Sequence, residues 1–203
     1  MVRQSHEPTV FVIDDDPAVL RSLSSLVGIV FPRVEVFSSA SEFLDAHGDD
    51  RPGCLVLDVA MPGMSGLELH RKLREDKIDL PVVFITGHAN VQMAVDAMKA
   101  GAVSFLEKPF QEQELWDSIR KALERDETNR SRKARREQAE EKVSLLSSGE
   151  REVFNMIVDG KFNKEIAAIL GLSVRTVEDR RARLMKKMDI HSIAELVHLA
   201  LAR

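Results

Sequence analysis

Short apolar runs alternate with helically spaced segments over the first 124 residues. Thr9-Val10-Phe11-Val12-Ile13 predicts a strand over 9–14, and further runs predict strands over 33–37, 54–58, 82–86 and 103–106. Between them, Val19, Leu20, Leu23, Leu26 and Val27 recur at helical spacing, and Phe43 and Leu44 share one face of a segment at Ser39–His47. Further helices are predicted over 66–75, 90–100 and 111–124. Five βα units with short links predict a doubly wound parallel sheet. Helices on both faces explain why 10–13, 54–57 and 82–85 are apolar throughout.

The pattern then changes. Asp126 to Lys142 is a charge run with no apolar stripe, and Lys133/Glu137 and Arg136/Glu140 sit four residues apart. That spacing supports an exposed helical linker, continuous with the helix that begins at 111. From 147 onward the pattern is wholly helical. Ser147 and Glu150 form a capping-box start, and Val153, Phe154 and Ile157 give the first helix its apolar face up to Gly160. A short helix over Asn163–Leu170 closes at Gly171, Ser173 caps a third over 174–188, and a fourth spans 192–202. The expected organisation is α/β plus all-α. It comprises a five-stranded (βα)5 domain over 1–124, a charged helical linker over 125–146 and a four-helix domain over 147–203.

Charge sharpens this division. Residues 1–123 carry 12 Lys and Arg against 19 Asp and Glu, whereas 147–203 carry 10 against 8. An acidic front and a mildly basic back permit nucleic-acid binding at the C-terminal end. No apolar stretch is long enough to span a bilayer and the N-terminus is polar, so the expectation is a cytoplasmic protein without a membrane partner. The single Cys54 excludes an internal disulfide and reads as a small buried hydrophobe. The six histidines lack metal-ligand spacing.

The candidate chemistry lies at the strand ends. Asp14-Asp15-Asp16, Asp58, Thr86 and Lys108-Pro109 each terminate an apolar run. An open parallel sheet gathers such groups at the carboxyl ends of its strands. A carboxylate can accept a phosphoryl group, but negative charges then converge, and a hard cation such as Mg²⁺ offsets them. Asp15 and Asp58 would supply carboxylates to the metal and the Ala60 backbone carbonyl a third oxygen, with Asp14 acting through a bound water. Mn²⁺ is a possible substitute. Lys108 and Thr86 would hold phosphoryl oxygens after transfer. Taken singly the residues say less. Asp16 reads as an N-cap before Pro17, Phe105 as core, and His88 as an exposed bystander on the rim rather than a group tuning hydrolysis.

Taken in order, Asp14-Asp15, Asp58, Thr86 and Lys108-Pro109 make residues 9–124 resemble the receiver domain of two-component response regulators, the CheY-like fold. The resemblance implies that a sensor histidine kinase donates its phosphoryl group to Asp58. It further implies a cis Lys108–Pro109 peptide and an aromatic switch at Phe105 that turns inward as Thr86 moves toward the phosphate. A haloacid-dehalogenase-type phosphatase would carry a second Asp two residues after its nucleophile, where this chain has Ala60, and no Gly-rich P-loop is present. The chain therefore reads as a switch and not a turnover enzyme, limited to Mg-dependent self-phosphorylation from a phosphodonor and slow self-dephosphorylation.

Helix, glycine turn and helix over 163–188 is helix-turn-helix grammar. On the 174–188 helix, Val177, Leu184 and Met188 share one face. Arg175, Asp179, Ala182, Arg183 and Lys186 lie opposite, flanked by Glu178 and Lys187. Leu146-Ser147-Ser148-Gly149-Glu150-Arg151-Glu152-Val153, Asn163-Lys164-Glu165-Ile166-Ala167 and Leu172-Ser173-Val174-Arg175-Thr176-Val177-Glu178 resemble the LuxR-type helix-turn-helix. The whole chain resembles the NarL/FixJ family, closest to its FixJ branch. That implies promoter DNA read by Lys164, Arg175, Thr176, Glu178, Asp179, Arg183, Lys186 and Lys187. Glu178 and Asp179 are unexpected on a DNA-facing side, and Arg180 stands where family members commonly have His.

The function expected is phosphorylation-dependent transcription control by a bacterial homodimer, paired through its fourth and fifth helices, with RNA polymerase as a further partner. The alternatives are a receiver-containing adaptor acting through protein partners and an aspartyl phosphatase.

Overall fold

The computed structural model describes residues 7–47, 51–87 and 91–202. It divides into two compact units, 1–129 and 130–203. The first unit is built on β1 (Thr9–Ile13), β2 (Val34–Phe37), β3 (Gly53–Asp58), β4 (Val82–Thr86) and β5 (Ser104–Glu107). They form one parallel sheet in the order β2-β1-β3-β4-β5. The order reverses between β1 and β3, where such sheets open their functional crevice. Each strand lies within a residue or two of its expected limits.

Alternation along the strands sends neighbouring side chains to opposite faces. Phe11, Ile13, Leu55, Leu57, Val82 and Phe84 pack on one face with α2 (Ala40–Ala46), α3 (Gly66–Glu75) and α4 (Val91–Lys99), through Phe43, Leu69, Leu73 and Ala97. Val10, Val12, Cys54, Val56, Val83 and Ile85 pack on the other, with α1 (Pro17–Gly28) and α5 (Glu112–Ser144), through Leu23, Val27, Leu115 and Ile119. With both faces covered, β1, β3 and β4 have no exposed residue. Burial also pushes the Cys54 thiol up, aided by the nearby Asp126 carboxylate.

The helix expected at 111–124 and the helical linker are one continuous element, α5. Two residues of the supposedly exposed run are buried, Ala139 and Asp126. Asp126 is 3% exposed, and its carboxylate accepts a 2.9 Å hydrogen bond from the Gly53 N–H at the start of β3. Nearby, the Asn129 amide donates to Asp79 at 2.9 Å, and Arg125 donates to the Gly101 carbonyl at 3.2 Å. The first stretch of the charged segment therefore fastens α5 to the amino-terminal edge of the sheet.

The second unit holds α6 (Ser148–Val158), α7 (Asn163–Leu170), α8 (Val174–Met188) and α9 (Ile193–Leu201). They close over Val153, Phe154, Ile157, Ile166, Val177, Leu184, Met188 and Leu196, with Val143 and Leu146 included. Ser147 and Glu150 form the expected capping box, and Ser173 caps α8. α7 ends at Gly171 in the left-handed region (φ +65°), which lets the chain turn at once into α8 without a Cβ penalty.

Because the Gly53 N–H is buried, Asp126→Ala leaves it without this acceptor. We expect it to destabilise the first unit by about 1–3 kcal/mol. Glu127→Ala, on the exposed side of the same turn, should stay within about 0.5 kcal/mol. Urea unfolding followed by Trp116 fluorescence checks this, and equal effects would show that the Asp126 contact contributes nothing.

Candidate functional site: a lysine-bridged carboxylate pair and a helix-turn-helix

Strand register assembles the first site. Ile13 pairs with Leu57 and Asp58 with Ile85, so Asp14, the residue directly after β1, comes level with Asp58. Both carboxylates are nearly buried, at 2% and 6% exposure. Lys108, brought back by β5, places its ammonium 2.8 Å from Asp14 Oδ2 and 2.8 Å from Asp58 Oδ1. The other oxygens are also held: Asp16 N–H donates to Asp14 Oδ1 at 3.0 Å, and Ala60 N–H donates to Asp58 Oδ2 at 2.7 Å. Burial pulls the Lys108 pKa down, but the hydrogen bonds and charges of Asp14 and Asp58 outweigh it and leave it raised. The Lys108–Pro109 peptide is cis, as the resemblance implied.

The loop after β3 can pass this close because of Gly66. A Cβ there would fall 2.1 Å from the Asp58 carbonyl oxygen. Gly66 N–H donates to the Val59 carbonyl at 3.0 Å, and Ser65 and Glu68 start α3 with a capping box. Thr86 is buried at 1% and its backbone carbonyl accepts from Lys108 N–H at 2.8 Å. Phe84, Phe105 and Thr86 share a sheet face by alternation, and the Phe84 and Phe105 rings lie 6.3 Å apart. Phe105 is half-buried. Asp16 is an N-cap as expected, its carboxylate accepting from Ala18 N–H at 2.7 Å. His88 lies outside the described residues.

The expected metal ligands divide. Asp14 and Asp58 are joined, whereas Asp15 is exposed. Among the described residues no group of three or more His, Cys, Asp or Glu is arranged to hold a metal ion. The donor set, all oxygen, is nevertheless of the kind a hard divalent cation takes together with water. Lys108 neutralises the two carboxylates directly. Its expected bonds to phosphoryl oxygens belong to the site after transfer.

In the second unit, α8 buries Val177, Leu184 and Met188, the three residues its periodicity selects. Arg175, Glu178, Asp179, Arg183 and Lys186 are exposed, as is Lys164 on α7, while Thr176 is half-buried and hydrogen-bonded to Ser173. Lys187 is engaged within the unit. Its ammonium is 2.7 Å from Glu150 Oε2, on a carboxylate side chain only 6% exposed. The Lys187 bond, followed by the Ser147 N–H, pushes the Glu150 pKa down to about 2.

An α/β unit with paired acidic strand ends and a cation between them, followed by a helix-turn-helix unit, is the layout of a signal-controlled regulator. Residues 10–120 match the response regulator receiver domain family, and 144–200 match the luxR family of bacterial regulatory proteins. The response regulator TodT of Pseudomonas putida is 44% identical over 94% of this chain and 84% of its own length. The transcriptional regulatory protein FixJ of Azorhizobium caulinodans is 43% identical over 95% and 91%. A solved structure of the response regulator StyR superposes with a TM-score of 0.86 at 42% identity, covering 98% of this chain and all of that one. The chain belongs to the NarL/FixJ-type response regulators, a receiver joined to a LuxR-type helix-turn-helix. Among the described residues no helix is long and apolar enough to cross a membrane.

Lys108→Met would leave two nearly buried like charges without their shared cation, so we expect it to destabilise the first unit by about 3–5 kcal/mol. Urea unfolding followed by Trp116 fluorescence measures this, and unchanged stability would contradict it. Glu150 gives a second expectation. A carboxyl group whose pKa is lowered by folding contributes stability above its ordinary value of 4.5, and that stability is lost as pH falls toward 2. The second unit should weaken across that window, and Glu150→Gln should remove most of the pH dependence. An unchanged profile in the variant would rule Glu150 out as the group responsible.

Proposed function

We propose that this response regulator takes a phosphoryl group on Asp58 from a sensor histidine kinase and, so charged, dimerises on promoter DNA to control transcription. The observation that carries this is the Asp14–Lys108–Asp58 arrangement: a nearly buried carboxylate held by two donors at the carboxyl edge of a parallel sheet. We assign 1–124 as receiver, 125–146 as linker and 147–203 as DNA reader.

In the transfer, the Asp58 oxygen forms the new P–O bond while the P–N bond of the donor phosphohistidine breaks. Lys108 exchanges one carboxylate partner for a phosphoryl oxygen, and Thr86 supplies a hydroxyl to another. Mg²⁺, or Mn²⁺ in its place, would be held through Asp14, Asp15, Asp58 and the Ala60 carbonyl, and would supply the charge that lets anions converge. Ala60 offers no acid or base to expel the phosphate, so only slow self-dephosphorylation is expected. An apolar cavity of about 340 Å³ beside Lys108, lined by Ala18, Val19, Leu23, Leu26 and Phe110, offers the donor kinase a contact surface next to the acceptor.

Phosphorylation draws Thr86 toward the phosphate and turns Phe105 inward. The output face is α4 and α5. On α4, Val91, Val95 and Met98 form an exposed apolar stripe at i, i+4 and i+7, suited to pairing with a second copy. A two-fold dimer presents two α8 helices to a palindromic site, with Lys164, Arg175, Arg183 and Lys186 available for phosphates and guanines. Glu178 and Asp179 are available for cytosine amino groups. RNA polymerase is the further partner that transcription control requires, and DNA as target places the protein in the bacterial cytoplasm.

A small-molecule phosphodonor with Mg²⁺ should make the wild type dimeric by light scattering and tighten its binding to a DNA site selected from random sequence. Asp58→Asn should remain at the untreated level in both measurements. A variant that responds as the wild type does would defeat the proposal, and failure to select any DNA would favour the protein-partner alternative.

A further inference from the structure

Three basic side chains of α8 do not lie free along its outer face. Lys187 gives its ammonium to Glu150 at 2.7 Å, and the same oxygen, Oε2, accepts from Ser147 N–H at 2.9 Å. Arg180 donates to the Gly149 carbonyl at 3.4 Å and lies 4.0 Å from the Glu152 carboxylate. A Cβ on Gly149 would come within 2.7 Å of that guanidinium, so the glycine leaves room for it. On the opposite flank, Arg181 donates to the Asn163 side-chain oxygen.

These contacts share a geometry. At 100° per residue, Arg180 and Lys187 fall on one side of the buried Val177–Leu184–Met188 stripe and Arg181 on the other. Gly149, Glu150 and Asn163 belong to the first turns of α6 and α7. Cations are ordinarily unfavourable near helix amino ends. Here each meets a carboxylate, a carbonyl or an amide oxygen. Side chains given to both flanks fix the rotation of α8 about its own axis, which decides what its outer face presents.

Building on the reading of α8 as the DNA reader, we propose that Arg180, Arg181 and Lys187 are positioning residues that set the roll of α8, and that its DNA-contacting cations are Arg175, Arg183 and Lys186. Arg175, Arg183 and Lys186 are exposed and form no ion pair among the described residues. Roll matters because bidentate readout of a base edge tolerates little angular error. Clasp residues therefore act on specificity, while the outer cations act on every DNA sequence through phosphate charge.

The test uses the full-length chain, treated with a small-molecule phosphodonor, on a duplex selected from random sequence by the wild type and on a scrambled duplex. Binding is followed across a salt series at a temperature well below the melting transition of every variant. Arg183→Met and Lys186→Met should each reduce the slope of log affinity against log salt by about one per subunit. Lys187→Met should leave that slope unchanged, lower affinity for the selected duplex about tenfold and spare the scrambled duplex. Glu150→Gln discriminates further. Loss of a negative charge near DNA would raise affinity if simple charge governed, whereas loss of the clasp lowers affinity for the selected duplex. The double variant should lose no more than either single one, and Lys187→Arg should restore binding. A slope reduced by Lys187→Met, or affinity raised by Glu150→Gln, would overturn the proposal. If the wild type selects no duplex, the DNA reading itself fails, an outcome distinct from failure of the clasp.

Discussion

The receiver depends on one ammonium between two carboxylates. Asp14 and Asp58 are almost removed from water and sit level on adjacent parallel strands. Two like charges so placed repel strongly, and the pair needs a counter-charge within hydrogen-bond reach. Lys108 supplies that charge from the far edge of the sheet, with 2.8 Å bonds to both. The resting site is thus balanced by the protein itself. Its balance is altered by anything that adds negative charge at Asp58, which is the change a phosphoryl group makes.

The sheet connects this local balance to other parts of the unit. β4 carries Thr86 at its end and Phe84 two residues earlier, and Phe105 lies beside Phe84 on β5. Lys108 itself follows β5 directly, its N–H bonded to the Thr86 carbonyl. A change in the partners of Lys108 therefore acts on the same two strands that carry Thr86 and Phe105, and α4 and α5 flank them. At the opposite edge Asp126 fastens α5 to β3, the strand that ends in Asp58. The long helix is thereby tied to the strand that delivers the acceptor.

The sheet, its helices and the strand-end residues were legible in the sequence because each rests on local periodicity and on the rule that parallel strands collect their carboxyl ends together. Val177, Leu184 and Met188 were likewise legible from helical spacing. Asp126 was not. It sits in a run of charges, and nothing in its neighbours reveals that a buried N–H at residue 53 needs an acceptor. The Lys187–Glu150 pair was hidden for a related reason. Spacing places Lys187 at the flank of the outer face, but its partner Glu150 is 37 positions earlier on another helix. Lys108 lies beside Asp14 and Asp58, but that pairing depends on strand register, which periodicity alone does not reveal. What the sequence hides in each case is a long-range polar pair.

The most direct measurement is chemical. The full-length chain would be treated with a small-molecule phosphodonor and Mg²⁺, the acyl phosphate trapped by borohydride reduction, and the modified residue located by peptide mass spectrometry. The expected result is a single modified residue, Asp58, with modification falling sharply when the divalent cation is chelated. Modification at Asp14 or Asp15 instead, or none in a folded chain, would contradict the central claim that Asp58 is the acceptor whose charge balance controls this protein.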